Sequence, residues 1–397
     1  MLIKNCTLAD KGNKHFDVRI SGERVSAIAE LINSEQSEQV IQANGALLTS
    51  SLAEPHSHLD KAFLAERIPN PTGDLMGAIR AMESSRDLIT VADTIERAER
   101  AVRLMVRHGV TAIRSHVDVK VDNGLDSIEA LLEVRARTSD IVDIQICAML
   151  DWPLSGDIGK QHLELGRNAI RLGADLIGGC PHLDENSFEA NIALIELAGD
   201  LGCGLDLHTD EHTDVSRVSL EDLAERVIAT GFQNSVTASH CVSLGMQSYA
   251  DQQRISELVA KAKIGVVALP HTNLFLQGRD QQTAMPRGLT AITALRKAGV
   301  LVAAGADNLQ DPFNPIGRGD PLESAALLML TAHQLPQDAF DAVSSVARKV
   351  IGLEESGPIV GALADLMLTP ATSIREAIAI SPPRTLVIHH GRITHIG

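Results

Sequence analysis

A chain of 397 residues with 44% hydrophobic and 22% charged residues has the composition of a folded protein with a real core. Its net charge of −16 argues against nucleic-acid backbones and anionic membrane surfaces as partners, since both repel an acidic surface. One Trp, one Tyr and seven Phe leave the core to aliphatic side chains.

The five cysteines, Cys6, Cys147, Cys180, Cys203 and Cys241, are far apart, odd in number and without a Cys-x-x-Cys. They read as small buried residues, not as a disulfide framework or a zinc knuckle. No apolar run approaches the ~20 residues of a spanning helix. The opening Met1-Leu2-Ile3-Lys4 lacks the basic-then-apolar pattern of a secretory signal. The expectation is a cytoplasmic protein.

In chain order, residues 1–45 read as short strands. Asp17 to Ile28 alternates, breaks at Gly22-Glu23 and alternates again, which is the pattern of a hairpin. The C-terminal stretch Thr385 to Ile396 repeats that pattern around His390-Gly391. Both ends therefore predict one small β-sandwich domain, residues 1–48 plus 362–397, flanking a middle domain, 49–361.

The middle alternates apolar strand-like runs, near 46–54, 111–117, 141–149, 174–179, 204–208, 235–239, 263–269 and 299–305, with helical patterns. Thr90 and Asp93 suggest a capping box. Ile95, Ala98, Val102 and Met105 then hold one helical face until Gly109. Eight buried-type strands alternating with helices predict an α/β fold, a (β/α)8 TIM barrel. The alternative is an open doubly wound sheet, but no Gly-x-Gly-x-x-Gly follows the first strand.

In such a barrel, functional groups stand at the C-terminal ends of the strands. The predicted strands end in His56 and His58, in His116 and Asp118, in Asp151-Trp152, in His182, in His208 to Glu211, in Ser239-His240, in His271 and Gln277, and in Asp307-Asn308. Polar groups at every strand end read as one shared site. Two histidines two apart on a strand point the same way. Taken alone, the pair is equally compatible with two loop histidines.

The pattern resembles the amidohydrolase superfamily, in its cytosine deaminase-like branch. The resemblance spans nearly the whole chain and rests on the order and spacing of several pieces. They are Glu54 to Lys61, Ser115 to Val119, Asp206 to Glu211, Val236 to His240, Asn273 to Arg279, Gly305 to Phe313 and Gly361 to Pro370. It implies one divalent metal ion, zinc or iron, bound by His56, His58, His208 and Asp307. Three imidazoles and a carboxylate leave room for a water whose pKa falls toward ~7. Many members hold a second metal through a lysine ending the fourth strand. That strand, Ala174 to Pro181, has none here, which favours a single ion.

By the same resemblance Glu211 is the proton shuttle, and His240 stands over the attacking water with Asp307 accepting its proton. His116, His182, His271 and Lys61 have supporting duties. Asp210 and Asp214 read as surface carboxylates, and His108, His389, His390 and His395 as solvated.

Cytosine-specific members carry a glutamine just after strand three, where Asp151 stands here. An ionised carboxylate only accepts, so Asp151 would favour an edge of N–H donors and disfavour cytosine. Asn308 likewise replaces an aspartate. Trp152 and Gln277 complete the substrate-binding candidates.

The implied function is a metal-dependent aminohydrolase that replaces an amino or alkylamino group on a nitrogen heterocycle. The alternatives are an amidohydrolase opening a cyclic amide or cleaving an acyclic C–N bond, and a non-catalytic metal or small-molecule binder. The partner is a small molecule, with no nucleic acid and no membrane. The subunit number is left open, and a homo-oligomer is compatible.

Overall fold

The structure is a computed structural model that describes the whole chain apart from Asp10 and Asn13. Eight parallel strands form one sheet in sequential order. They are β1 (Leu52–Ser57), β2 (Val110–Val119), β3 (Asp143–Leu150), β4 (Leu176–Gly179), β5 (Gly204–Thr209), β6 (Val236–His240), β7 (Gly265–Ala268) and β8 (Val302–Ala304). The expected runs all contribute strands, and the sheet closes instead of remaining open. The seam lies just past β8, where Asp307 N–H donates to the His56 carbonyl at 3.0 Å and His58 N–H donates to the Asp307 carbonyl at 3.1 Å. Two candidate site segments are therefore laced together by their backbones.

Helices run between the strands. α1 (Leu75–Ser84) and α2 (Val91–Arg107) follow β1. Thr90 Oγ1 accepts from Asp93 N–H at 3.2 Å, which starts α2 as the sequence predicts. Asp93 does not reach back to complete the box, because its carboxylate accepts from Arg67 and Arg97. Ala98, Val102 and Met105 are buried against the barrel, and Ile95 is half-buried. No helix among the described residues is long and apolar enough to cross a membrane.

Strands from both termini build a separate mixed sheet. Its order is Arg392–Ile396, Leu386–His389, Leu366–Thr369, Leu47–Ser50, Leu2–Leu8, His15–Ser21 and Arg24–Ala29, with Val40–Gln42 also on Leu2–Leu8. Both expected hairpins are present. His390 and Gly391 have φ of 48° and 73°, the left-handed pair that a two-residue turn matching strand twist needs. An aliphatic cluster including Ile3, Val18, Leu48, Leu366 and Ile388 fills one face.

Charged groups link this sheet to the barrel. Asp365 is fully buried and accepts from Arg348 at 2.9 Å and from His390 N–H at 2.6 Å. His389 is only 2% exposed, with ring nitrogens 3.4 Å from Asp365 and 3.7 Å from Asp143. It is thus a junction residue, not the solvated one expected. The five thiols are free; Cys6, Cys147 and Cys241 are buried and the other two half-buried.

Candidate metal centre and cavity

The barrel interior is layered. In a lower layer Arg114 on β2 donates to Asp206 on β5 at 2.7 Å, and both are essentially inaccessible. Above it His116 stacks on His56, with ring centroids 3.9 Å apart. Burial, with His56 beside it, pushes His116 down to about 3, so it is a neutral imidazole. Neither ring nitrogen has a hydrogen-bond partner among the described residues.

The next layer is the rim. His56 Nε2 lies 3.2 Å and His58 Nε2 3.1 Å from His208 Nε2. Asp307 Oδ1 lies 3.5 Å from His56 Nε2 and 3.2 Å from His58 Nε2. All four side chains are buried. Burial, reinforced by the surrounding histidines, pushes His208 well below the usual range. Three imidazole nitrogens thus converge on one point beside a carboxylate oxygen that has no hydrogen-bond partner among the described residues. Such an arrangement is repulsive unless a cation sits between the donors. Around a tetrahedral cation with ligand bonds of ~2.1 Å, neighbouring donor atoms lie ~3.4 Å apart. The spacings here fit that requirement.

Neighbouring groups orient the cage. His56 Nδ1 pairs with Ser239 Oγ at 2.8 Å, and Ser239 in turn donates to Asp206 at 3.4 Å. This fixes the tautomer that leaves Nε2 free for the cage. Lys61 Nζ lies 3.1 Å from His58 Nδ1 and 2.7 Å from Asp118 Oδ1. When His58 turns its Nε2 lone pair to a cation, Nδ1 carries the proton and faces an ammonium. Burial opposes charge on Lys61, but Asp118 and Asp60 outweigh it and hold Lys61 charged.

Glu54 stitches the seam from below. Its two oxygens accept from Ala306 N–H at 3.1 and 3.0 Å, and one also accepts from His56 N–H. Burial pushes its carboxyl up to about 8. A side chain on Gly305 would come within 2.4 Å of Glu54 Oε1, so the approach requires glycine.

Glu211 stands beside the cage, 5% exposed, its Oε1 3.6 Å from His240 Nδ1. Burial and the nearby Asp307 hold its carboxyl well above the usual range. His240 Nδ1 pairs with Asn273 Nδ2 at 3.0 Å, while its Nε2 lies 3.9 Å from Asp307 Oδ2. His240 and Asp307 both have left-handed backbones, φ 68° and 66°, where the chain turns sharply off its strand.

A cavity opens onto the cage. Its inner wall is polar, with His58, His208, Glu211, His240, Asp307 and Asn308. Its outer wall is apolar, with Leu75, Ile79 and Met82 of α1 facing Trp152, Leu183 and Phe313. Asn308 Nδ2 donates to Asp311 at 2.7 Å. Asp151 and Gln277 do not line the cavity. Asp151 accepts from Lys120 at 3.3 Å, and Gln277 Nε2 donates to the Glu211 carbonyl at 3.1 Å.

His182 holds the His208 carbonyl at 3.0 Å, and His271 lies 3.4 Å from Glu323. Asp210 is buried, not a surface carboxylate. It caps the helix Ser219–Thr230, accepting from Ser219 and Leu220 N–H.

The amidohydrolase family profile matches residues 70–395. A pterin deaminase of Rhizobium rhizogenes is 33% identical over 86% of this chain and 79% of its own length. The chain belongs to the amidohydrolase family. A 5-methylcytosine deaminase structure from Klebsiella pneumoniae, liganded with 5-fluorocytosine, superposes with a TM-score of 0.91 at 29% identity, covering 100% of this chain and 98% of that one. An N-isopropylammelide isopropylaminohydrolase structure from Burkholderia multivorans does so with a TM-score of 0.86, also at 29% identity, over the same shares.

This amidohydrolase is a hydrolase of carbon–nitrogen bonds other than peptide bonds, in a family that depends on metal. Glu54, Ser239, Asn273 and Lys120 are not assigned a role from the sequence. Each acquires its place only through a partner on another strand or loop.

Proposed function

We propose that this amidohydrolase is an aminohydrolase. Water replaces an amino or alkylamino group on a nitrogen heterocycle, and ammonia or an amine leaves. The named relatives support this class, since their names point to pterin, 5-methylcytosine and N-isopropylammelide, all flat nitrogen-rich rings. His56, His58, His208 and Asp307 hold one divalent ion, zinc or iron. That ion supplies Lewis acidity and hydroxide at neutral pH.

The observation that carries the reading is Glu211. Its carboxyl is buried, lies 3.6 Å from His240, and has its hold on a proton strengthened by burial and Asp307. A neutral carboxyl can donate a proton to a ring nitrogen as the adjacent carbon is attacked. The resulting carboxylate can then take the remaining proton of the attacking oxygen and pass it to the departing amine. His240 steadies negative charge developing on the attacking oxygen, and Asp307 accepts a proton.

The test is ammonia or amine release by the metal-loaded protein across aminated pyrimidines, pterins and triazines. Turnover of at least one ring is expected, abolished in Glu211→Gln while the metal stays bound. Release from none of the rings overturns the proposal.

A further inference from the structure

The group that reads the substrate ring is Lys120, we propose, and the feature it reads is an oxygen acceptor on the ring. This deepens the aminohydrolase reading and rests on it. The sequence directs attention to Asp151, the carboxylate that follows the third barrel strand. In the folded chain Asp151 is outside the cavity lining and Lys120 is in it. The register explains the exchange. Val119 at the end of β2 pairs with Leu150 at the end of β3, so the next residues, Lys120 and Asp151, come side by side. Asp151 Oδ1 takes one N–H of the ammonium at 3.3 Å.

Lysine has three such donors. Among the described residues Lys120 Nζ has no second hydrogen-bond partner. The side chain is 12% exposed and also lies over the Trp152 ring, 5.3 Å from its centroid. Unspent N–H donors therefore stand in a cavity wall, next to the flat surface on which a ring can stack. On the inner side Asp118 follows, its Oδ1 taken by Lys61 at 2.7 Å. The charges run Asp151, Lys120, Asp118, Lys61, alternating in sign, and the last three line the cavity.

The charge presented to the ligand at this position is positive, opposite to what Asp151 alone implies. It matches an oxo group or a ring carboxylate and is mismatched to an amino substituent. Asp151 holds the ammonium in place and acts through it.

The test uses matched amino-pyrimidines, -pteridines and -triazines that carry an oxo group, a carboxylate or only hydrogen at one ring position. Their dissociation constants and ammonia release are measured with the metal-loaded wild type, Lys120→Met, Lys120→Arg and Asp151→Asn. Melting temperature and metal content are measured alongside.

For the oxygen-bearing member of at least one ring, Lys120→Met weakens binding by about ten- to a hundredfold, the range of a lost charge-assisted hydrogen bond. The hydrogen-bearing member changes less than about threefold, so oxygen discrimination disappears. Lys120→Arg keeps most of the discrimination, and Asp151→Asn falls between. Whether the oxo or the carboxylate compound suffers more names the acceptor. Equal losses on all members, no loss, or no binding of any oxygen-bearing ring overturns the role of Lys120. Ammonia release indifferent to Lys120 overturns this role and leaves the aminohydrolase standing. Lysine-dependent binding without ammonia or amine release does the reverse.

Discussion

The junction between the terminal sheet and the barrel and the rim of the barrel both bury charged and polar side chains, but they satisfy them differently. At the junction Arg348 meets Asp365 at 2.9 Å, and Asp365 also accepts from the His390 backbone. Deeper in the barrel Arg114 meets Asp206 in the same way. At the rim, His240 Nε2, His208 Nδ1 and Asp307 Oδ1 are left without partners among the described residues. A folded chain tolerates few such atoms, because each costs about 1–3 kcal/mol. Unmatched nitrogens also occur at the junction, on His389, but there the buried carboxylate has a permanent cation beside it, whereas among the described residues Asp307 meets only imidazoles.

That contrast predicts which property each region loses when broken. The largest effect belongs to Glu211→Gln. Turnover falls by about 10³- to 10⁴-fold, toward the upper end of what positioned proton transfer contributes. The melting temperature and bound metal stay at wild-type values, because no hydrogen bond among the described residues ends on that carboxylate. A large loss of stability would move Glu211 to the structural side of the comparison.

Asp365→Asn does the opposite. Removing one member of a buried ion pair costs about 3–5 kcal/mol, read as a lowered denaturant midpoint, while activity per folded molecule is kept. The pH dependence has a definite sign. Burial raises the Asp365 carboxyl, but His389, Arg348 and the His390 backbone outweigh it and hold it below the usual carboxylate range. Its contribution is therefore present above the unfolded value near ~3.9 and is lost as pH falls through the folded value. The stability gap between wild type and Asp365→Asn should begin to narrow below about pH 4 and be gone once the pH lies below the folded value. A gap that persists there would assign the loss to packing.

Asn273→Ala lies between. It frees His240 Nδ1, so the ring no longer has one imposed tautomer, and kcat drops about ten- to a hundredfold with KM nearly unchanged. The smallest effect is Thr90→Ala at the start of α2. It costs about 1 kcal/mol of stability and nothing in turnover.

The fold was legible because barrel strands are continuous apolar runs and hairpin strands alternate, and both patterns are local. The cage was legible in two steps: strand ends drew attention to polar groups all round the rim, and the resemblance to the amidohydrolase superfamily singled out His56, His58, His208 and Asp307 among them. What stayed hidden depends on register and closure. Glu54 reads as one letter of a motif until β1 meets the segment after β8, 252 positions away. Lys120 reads as an ordinary charge beyond a strand until pairing sets it against Asp151, 31 positions on. His389 reads as a polar residue at a hairpin turn, and only the docking of the terminal sheet on the barrel buries it.

The central claim is that Nε2 of His56, His58 and His208 and Oδ1 of Asp307 share one cation. Anomalous diffraction from crystals of the metal-loaded protein, with metal content counted on the same preparation, tests it most directly. One ion per chain in contact with His56, His58, His208 and Asp307 is the predicted result. An ion bound away from those four side chains, or a fully active protein with no ion among them, would contradict it.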